Sequence, residues 1–311
     1  MKAIVLKEAG SVDNLEYVEL AKPTIKEGEV LIKVKAISIN PVDVKSRAGK
    51  GVYGRIKTED PLILGWDISG IIEETKSSDF KVGDEVFGMV NFPGHGKAYA
   101  EFVAAPANQL ALKPKNISFE EAAASTLVAL TVWQALVKNA NVQKGQNVLV
   151  HAASGGVGHI AVQLAKYLGA NVTGTSSAKN KDFVLSLGAD SHIDYHGFDW
   201  KSAGRTFDFV LDTIGGDNID HSLEVTKEGG SIISIPTGLN EQVTSKAESK
   251  GVKGYFILVQ SSGEDMKQIA SLLESGAVKP HVSKIFPFEQ MREAHLEQET
   301  GRTVGKIVVT L

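Results

Sequence analysis

The sequence predicts an α/β protein of two parts, a β-rich barrel-like region and a doubly wound parallel sheet, and three observations carry that prediction. Apolar residues in the first third alternate with period two. From about Ser118, strand-like runs alternate with helical patterns. Between one of these strands and the helix after it lies a cluster of glycines. A length of 311 residues corresponds to about two domains.

Taken in order, Val30, Ile32, Val34 and Ala36 alternate with Leu31, Lys33, Lys35 and Ile37, as in a half-buried strand. Short apolar runs follow at Ile68–Ile72 and Glu85–Val90, punctuated by Gly65, Gly70, Gly83 and Gly88. Ser118 and Glu121 have the spacing of a capping box, and the Ala-rich stretch after them is expected to be helical. Val148–Val150 reads as a short strand. Val157, Ile160, Ala161, Leu164, Ala165 and Leu168 then repeat at helical spacing, with Gly169 as the stop. The strand signal returns at Asn171–Thr175, Phe207–Leu211, Ser231–Ile235 and Tyr255–Val259. In the tail, Met266, Ile269, Leu272 and Leu273 mark one helix, and Lys306–Val309 a last strand that returns to the first region. The expected division is residues 1–120 with 265–311 for the β-rich domain, and 121–264 for the parallel-sheet domain.

Composition narrows the function. The chain is 42% hydrophobic and 23% charged, as an ordinary globular protein is. A net charge of −4 offers no electrostatic attraction to nucleic acid or an anionic membrane. Cysteine is absent, which excludes disulfides and thiolate nucleophiles and removes the usual ligands of structural zinc. Lys2, Lys7 and Glu8 carry charge too early for a signal-peptide core. The longest largely apolar stretch, Ala122 to Val137, is shorter than the roughly 20 residues of a membrane span. A cytoplasmic protein with no nucleic-acid or membrane partner is the expectation.

The glycine cluster is the most informative segment. Val148–Val150 runs through His151, Ala152, Ala153 and Ser154 into Gly155, Gly156, Val157 and Gly158, where the amphipathic helix begins. Gly155 and Gly156 let backbone approach a pyrophosphate, and Gly158 permits close helix–strand packing. Unpaired N–H groups at the helix start favour the anion. Ala153 stands where the first glycine of the G-x-G-x-x-G pattern would be. The choice between NAD and NADP is made about 20 residues on, where a carboxylate usually binds the ribose 2′-hydroxyl of NAD. Here the sequence reads Thr175-Ser176-Ser177-Ala178-Lys179-Asn180-Lys181, with no carboxylate before Asp182. A hydroxyl and nearby cations suit a 2′-phosphate, so NADPH is the expected cofactor. The alternative is that the lysines are only a solvated helix start.

Six segments together resemble the medium-chain dehydrogenase/reductase superfamily, in particular its quinone oxidoreductase-like branch, over essentially the whole chain. They are Asn40-Pro41-Val42-Asp43, Lys81–Gly88 around Gly83-Asp84, Ala98-Tyr99-Ala100-Glu101-Phe102, Leu130–Leu136, Ala152–Gly158, and Gly301-Arg302 with Gly305-Lys306-Ile307-Val308. The resemblance implies a GroES-like substrate domain built from both ends of the chain and a central Rossmann domain. It implies a homodimer joined through Rossmann sheet edges. It places Tyr195 beside the adenosine 2′-phosphate, and Thr213 and Ile214 in a loop lining the ribose and nicotinamide. Thr131 is a further expected cofactor contact, against a plain helix-packing role.

The superfamily's alcohol dehydrogenases hold catalytic zinc through Cys and His, with a Gly-His-Glu motif. This chain has Gly65-Trp66-Asp67 in the corresponding stretch and no cysteine, so no metal site is expected. His192 and His196 lie four apart but lack a third ligand; His151 and His159 flank the glycine turn and suit packing there. Without a Lewis acid, simple alcohol oxidation is disfavoured. A quinone or an α,β-unsaturated carbonyl can delocalise the incoming charge itself, so the expected activity is hydride transfer to such an acceptor. Solvent or a tyrosine would deliver the proton.

Asn40 is expected near nicotinamide or substrate oxygen, the alternative being an Asn-Pro turn residue. Asp43 would orient that group or serve structure alone. Tyr53, within Gly51-Val52-Tyr53-Gly54, is the candidate substrate-pocket hydroxyl and proton donor. Trp66 and Asp67 are expected to line the substrate pocket, or to be core. Two other functions stay open: a narrow-specificity enoyl reductase, and an NADPH-holding sensor or adaptor with little turnover.

Overall fold

The computed structural model describes residues 1–311. The N-terminal region runs β1 (Lys2–Leu6), β2 (Leu15–Glu19), β3 (Glu29–Ile39), α1 (Pro41–Arg47), α2 (Tyr53–Ile56), β4 (Asp67–Thr75), β5 (Glu85–Met89), β6 (Phe102–Pro106) and β7 (Ala111–Leu112). Helix α3 (Phe119–Trp133) leads to β8 (Asn147–Val150), α4 (Gly156–Tyr167), β9 (Asn171–Ser176), α5 (Lys181–Ser186) and β10 (Ser191–Asp194). The series continues with β11 (Phe207–Asp212), α6 (Asn218–Val225), β12 (Thr226–Ser234), α7 (Val243–Glu248) and β13 (Lys253–Phe256). The tail holds α8 (Gly263–Glu274), β14 (Val282–Pro287), α9 (Met291–Glu299) and β15 (Lys306–Thr310).

Two compact units form. The first takes Met1–Leu130, Val259–Gly276 and Pro280–Leu311, and the second Thr131–Leu258 with Ala277–Lys279. The first is the GroES-like unit, a sheet in the order β14-β15-β3-β4-β5-β7. Its organising element is β3, an 11-residue strand buried along most of its length. One edge of β3 pairs with β4. The other edge is shared: β6 lies along Glu29–Lys33, and β15, the returning last strand, along Ala36–Ile39.

The second unit is a six-stranded, all-parallel sheet in the order β10-β9-β8-β11-β12-β13. Counted within the unit, that is third, second, first, fourth, fifth, sixth, the Rossmann order. The order reverses between β8 and β11, so ligand is expected beyond the C-terminal ends of those two strands. Leu149, Val210 and Ile232 from neighbouring strands join Ile219, Leu223, Val243 and Ala247 from the helices in one buried core.

The unit boundaries differ from the sequence expectation at three places. Residues 121–130 group with the first unit because Ala123 and Ala124 of α3 pack with Ala36 of β3 and Val308 of β15. Residues 259–264 join it as well. Residues 277–279 join the second unit, where Gln163 of α4 both donates to the Lys279 carbonyl and accepts from its N–H. The capping box forms as the sequence requires: Ser118 N–H donates to Glu121 at 2.9 Å, and Glu121 N–H to Ser118 Oγ at 3.1 Å.

Candidate active site

In the second unit the chain leaves β8 at Val150 and enters α4 at Gly156 through a turn in which Ala152 takes φ 46°. Helix and strand approach so closely here that a Cβ on Gly158 would collide with the Ala152 carbonyl and lie 2.7 Å from Ala153 Cα. Ala153 occupies the position expected of a glycine because its neighbour on β9, Gly174, gives up a side chain. A Cβ on Gly174 would sit 2.7 Å from that of Ala153. The Ala153 N–H is committed to the Thr175 carbonyl at 2.8 Å, so this residue spaces the turn rather than offering a donor. Ser154 is buried and its Oγ accepts from Asn180 at 3.1 Å. Gly155, Gly156 and Val157 are the half-buried part of the turn. The first N–H groups of any helix lack intrahelical partners, and here they belong to Gly156, Val157 and Gly158, with no side chain capping them. This is a cradle for an anion.

Both histidines beside the turn are structural. His151 is buried, its Nδ1 is 3.2 Å from Thr175 Oγ1, and its ring lies 5.3 Å from that of Trp200. Burial pushes its pKa down to about 4, so it is neutral near pH 7. His159 Nδ1 lies 3.0 Å from the Gly155 carbonyl.

After β11 the buried carboxylate of Asp212 shapes the next loop. Its Oδ1 accepts from the N–H of Ile214 and Gly215 and from Asn218 Nδ2, and its Oδ2 from Ser234 Oγ. Thr213 Oγ1 donates to the His151 carbonyl at 2.8 Å, which ties this loop to the glycine turn. Ile214 is left exposed. Thr131 is buried in α3.

At the end of β9, Ser176 Oγ is 2.8 Å from His192 Nε2 on β10. The Tyr195 N–H donates to the Ser176 carbonyl at 3.3 Å, and the exposed Tyr195 ring stacks on His196 at 4.1 Å. Lys179 lies exposed on the short turn Ala178–Asn180 that follows. The end of β9 thus carries Ser176, in contact with Tyr195 and with His192 of β10, with Lys179 on the turn that follows; the sequence marked His192 only as half of a histidine pair lacking a third ligand.

The first unit holds a different cluster. Asn40 caps α1 at the end of β3, and its N–H donates to Asp43 Oδ2 at 2.8 Å. The Asn40 carboxamide is fully engaged: Nδ2 donates to Asp67 Oδ2 at 2.8 Å, and Oδ1 accepts from Lys306 Nζ. Lys306 Nζ also donates to the Ile39 carbonyl at 2.8 Å, and Asp67 Oδ1 accepts from the Leu127 N–H at 3.1 Å. Tyr99 Oη bridges Asp43 Oδ1 at 3.0 Å and His295 Nε2 at 2.9 Å. All six side chains are buried.

Burial dominates their electrostatics. It raises Asp43 to about 7, with Asp67 adding to the effect, and it raises Asp67 although Lys306 opposes it. It lowers Lys306, lowers His295 to about 3 and lifts Tyr99 well above its ordinary value. The Tyr99 hydroxyl donates to Asp43 Oδ1, and the neutral His295 ring lies at its other side.

Asn40, Asp43 and Asp67 are buried and hydrogen-bonded to one another or to Lys306, Tyr99 and Leu127. Trp66 is a core residue, with its indole donating to the Gly94 carbonyl at 2.7 Å and packed edge-on against Phe92. Tyr53 alone of the expected substrate-side residues is half-buried, at the start of α2. Tyr99 and Lys306 lie in segments that the family resemblance singled out, but their roles depend on partners remote in sequence. No local signal marks His295.

A zinc ion does not fit these residues. No cysteine exists, no three His, Asp or Glu side chains are placed to hold a metal ion, and the Trp66 side chain stands where the family motif has histidine.

Comparison with known proteins settles the family. Residues 26–115 match the alcohol dehydrogenase GroES-like domain, and residues 187–309 match the family described as zinc-binding dehydrogenase. The 2-methylene-furan-3-one reductase of Solanum lycopersicum is 36% identical over 99% of this chain and 79% of its own length. The chain belongs to the quinone oxidoreductase-like branch of the medium-chain dehydrogenase/reductase superfamily. A chloroplastic NADPH-dependent alkenal/one oxidoreductase of Arabidopsis thaliana is 35% identical over 99% of this chain and 79% of its own length. The quinone oxidoreductase structure from Coxiella burnetii superposes with a TM-score of 0.94 at 36% identity, covering 100% of this chain and 99% of that one. This medium-chain reductase has no helix long and apolar enough to cross a membrane.

Proposed function

We propose that this chain is an NADPH-dependent, zinc-independent reductase that delivers hydride to a quinone or to the β-carbon of an α,β-unsaturated carbonyl compound. The observation that carries the proposal is the second unit's cradle, with a hydroxyl instead of a carboxylate where β9 ends. Gly155, Gly156, Val157 and Gly158 would hold the pyrophosphate by backbone N–H groups. Ser176, Lys179 and Tyr195 would hold the 2′-phosphate, and the Thr213–Ile214 loop the ribose and nicotinamide. When bound, the reduced nicotinamide supplies the hydride. The protein's part is to position and to exclude water. The Asn40–Asp67–Lys306 base holds the end of β3 and the start of α1 rigid, and the Tyr53 hydroxyl is the candidate proton source beside solvent. An acceptor that spreads charge into an enolate or hydroquinone needs no metal in this scheme. The alkenal/one oxidoreductase of Arabidopsis, which is NADPH-dependent, supports the cofactor, and the furanone reductase of tomato and the quinone oxidoreductase of Coxiella support the acceptor class.

Anaerobic oxidation of NADPH, followed with benzoquinones, naphthoquinones and simple enones, tests the proposal. Turnover that persists in chelator is expected. Tight NADPH binding with no turnover on any acceptor would move the protein to a sensor or adaptor. A homodimer joined along the exposed edge strand β13, where Phe256 is open to solvent, belongs to the same proposal, as does a cytoplasmic location. Light scattering of the purified protein checks the first, and cell fractionation the second.

A further inference from the structure

The strand end that would receive the 2′-phosphate contains a titratable group. Strands β9 and β10 run parallel, with His192 opposite Gly174 and Asp194 opposite Ser176. Ser176 Oγ lies 3.0 Å from the Ser177 carbonyl and 2.8 Å from His192 Nε2, so the hydroxyl and the imidazole are one hydrogen-bonded pair. Ser176 is buried and His192 half-buried, so the pair is built into the sheet rather than lying on its surface.

The charged groups around His192 are few. Asp194 lies on its own strand, with Oδ1 taken by the N–H and Nδ1 of His196 at 3.1 and 2.8 Å. Lys181 comes from the start of α5, and Lys179 from the turn before it. In the free protein burial holds His192 below the usual imidazole value; Asp194 pulls it upward and Lys181 downward. It is therefore uncharged near neutrality when no anion is present. A phosphate dianion seated at Ser176 reverses that balance, because opposite charge at close range favours the protonated ring.

Resting on the NADPH assignment above, we propose that His192 is a protonatable member of the 2′-phosphate subsite. It acts through Ser176 and through the charge it gains, so that NADPH binds with uptake of a proton and NADH does not. The proton comes from solvent; with both ring nitrogens protonated, Nε2–H donates to Ser176 Oγ, and the Ser176 hydroxyl proton turns to the phosphate. The consequence is a cofactor preference that sharpens as pH falls.

Equilibrium binding of NADPH, NADH, 2′,5′-ADP and 5′-AMP between about pH 6 and about pH 8 tests this in the wild type and in His192→Gln, which keeps a donor nitrogen but cannot gain charge. The phosphate's own titration near pH 6 is common to both proteins and cancels in their ratio. NADPH and 2′,5′-ADP should gain up to about tenfold more affinity on acidification in the wild type than in the variant, one tenfold step for each unit by which the ligand raises the imidazole pKa. NADH and 5′-AMP should not distinguish the two proteins. Identical pH dependence in both proteins overturns the role of His192 and leaves the NADPH assignment intact. A wild type that holds NADH as tightly as NADPH at every pH overturns both. Calorimetry of both proteins in two buffers of different ionisation enthalpy counts the proton directly: greater uptake with NADPH by wild type than by His192→Gln is expected, and equal proton counts contradict the proposal.

Discussion

At the scale of single residues, the buried acid Asp43 has the most measurable behaviour. Its pKa is about 7 in the folded protein against an ordinary 3.8. Between those values the native state keeps a proton that the unfolded chain has released. Stability therefore falls as pH rises through that window, by about 1.4 kcal/mol per pH unit, and no further above it. His295, held near 3 against an ordinary 6.5, acts the other way: below 6.5 the unfolded chain is protonated where the native one is not. Between 3.8 and 6.5 the two slopes oppose each other. Asp43→Asn copies the protonated acid and removes only the first slope. Urea unfolding at about pH 6.5 and about pH 4.5 should then show the variant losing stability on acidification relative to wild type. Equal changes in both proteins would show that Asp43 titrates normally.

Among secondary-structure elements, the β8–turn–α4 unit was the most legible in the sequence. A short apolar run, small residues and a 3.6-residue repeat are local signals, and the structure places strand, turn and helix where those signals lie. The capping box of α3 was legible for the same reason. What the sequence did not show were contacts between distant segments. Ala153 looked like a departure from a glycine pattern until Gly174, on the neighbouring strand, explained it. Asn40 and Asp67 looked like groups for a ligand because nothing local reveals that Lys306 is their partner. Helix α9 has alternating charge and little apolar periodicity, so neither it nor His295 stood out. Because the helix start packs on the turn, Gly158→Ala should weaken NADPH binding and lower stability by about 1–3 kcal/mol through overpacking. Thermal unfolding with and without NADPH separates the two effects. A variant with wild-type midpoint and affinity would mean that the turn relaxes freely.

For the whole molecule, the decisive feature is the tie between the last strand, β15, and the early strands β3 and β4. Lys306 on β15 is the cation that opposes the buried charge of Asp67, and Asn40 hydrogen-bonds to both. Lys306→Met should cost about 3–5 kcal/mol, since it strands a buried carboxylate. Lys306→Met combined with Asp67→Asn should be more stable than Lys306→Met alone, because the uncompensated charge is gone. Denaturant midpoints of the two single variants and the double variant give the coupling directly. Strict additivity would mean that the pair is not an electrostatic unit.

The shared edge of β3 also sets an order on the ribosome. Ala36–Ile39 of β3 must wait for β15, which follows more than 260 residues later. At roughly 5–20 residues per second, that delay is on the order of tens of seconds. The second unit's strands β8–β13 lie close together in the chain and can pair during that interval. The nascent first unit meanwhile exposes an unpaired strand edge beside Asn40 and Asp67, still lacking their lysine. Chaperone binding to this protein should therefore concentrate on the N-terminal third and end when the last strand is released.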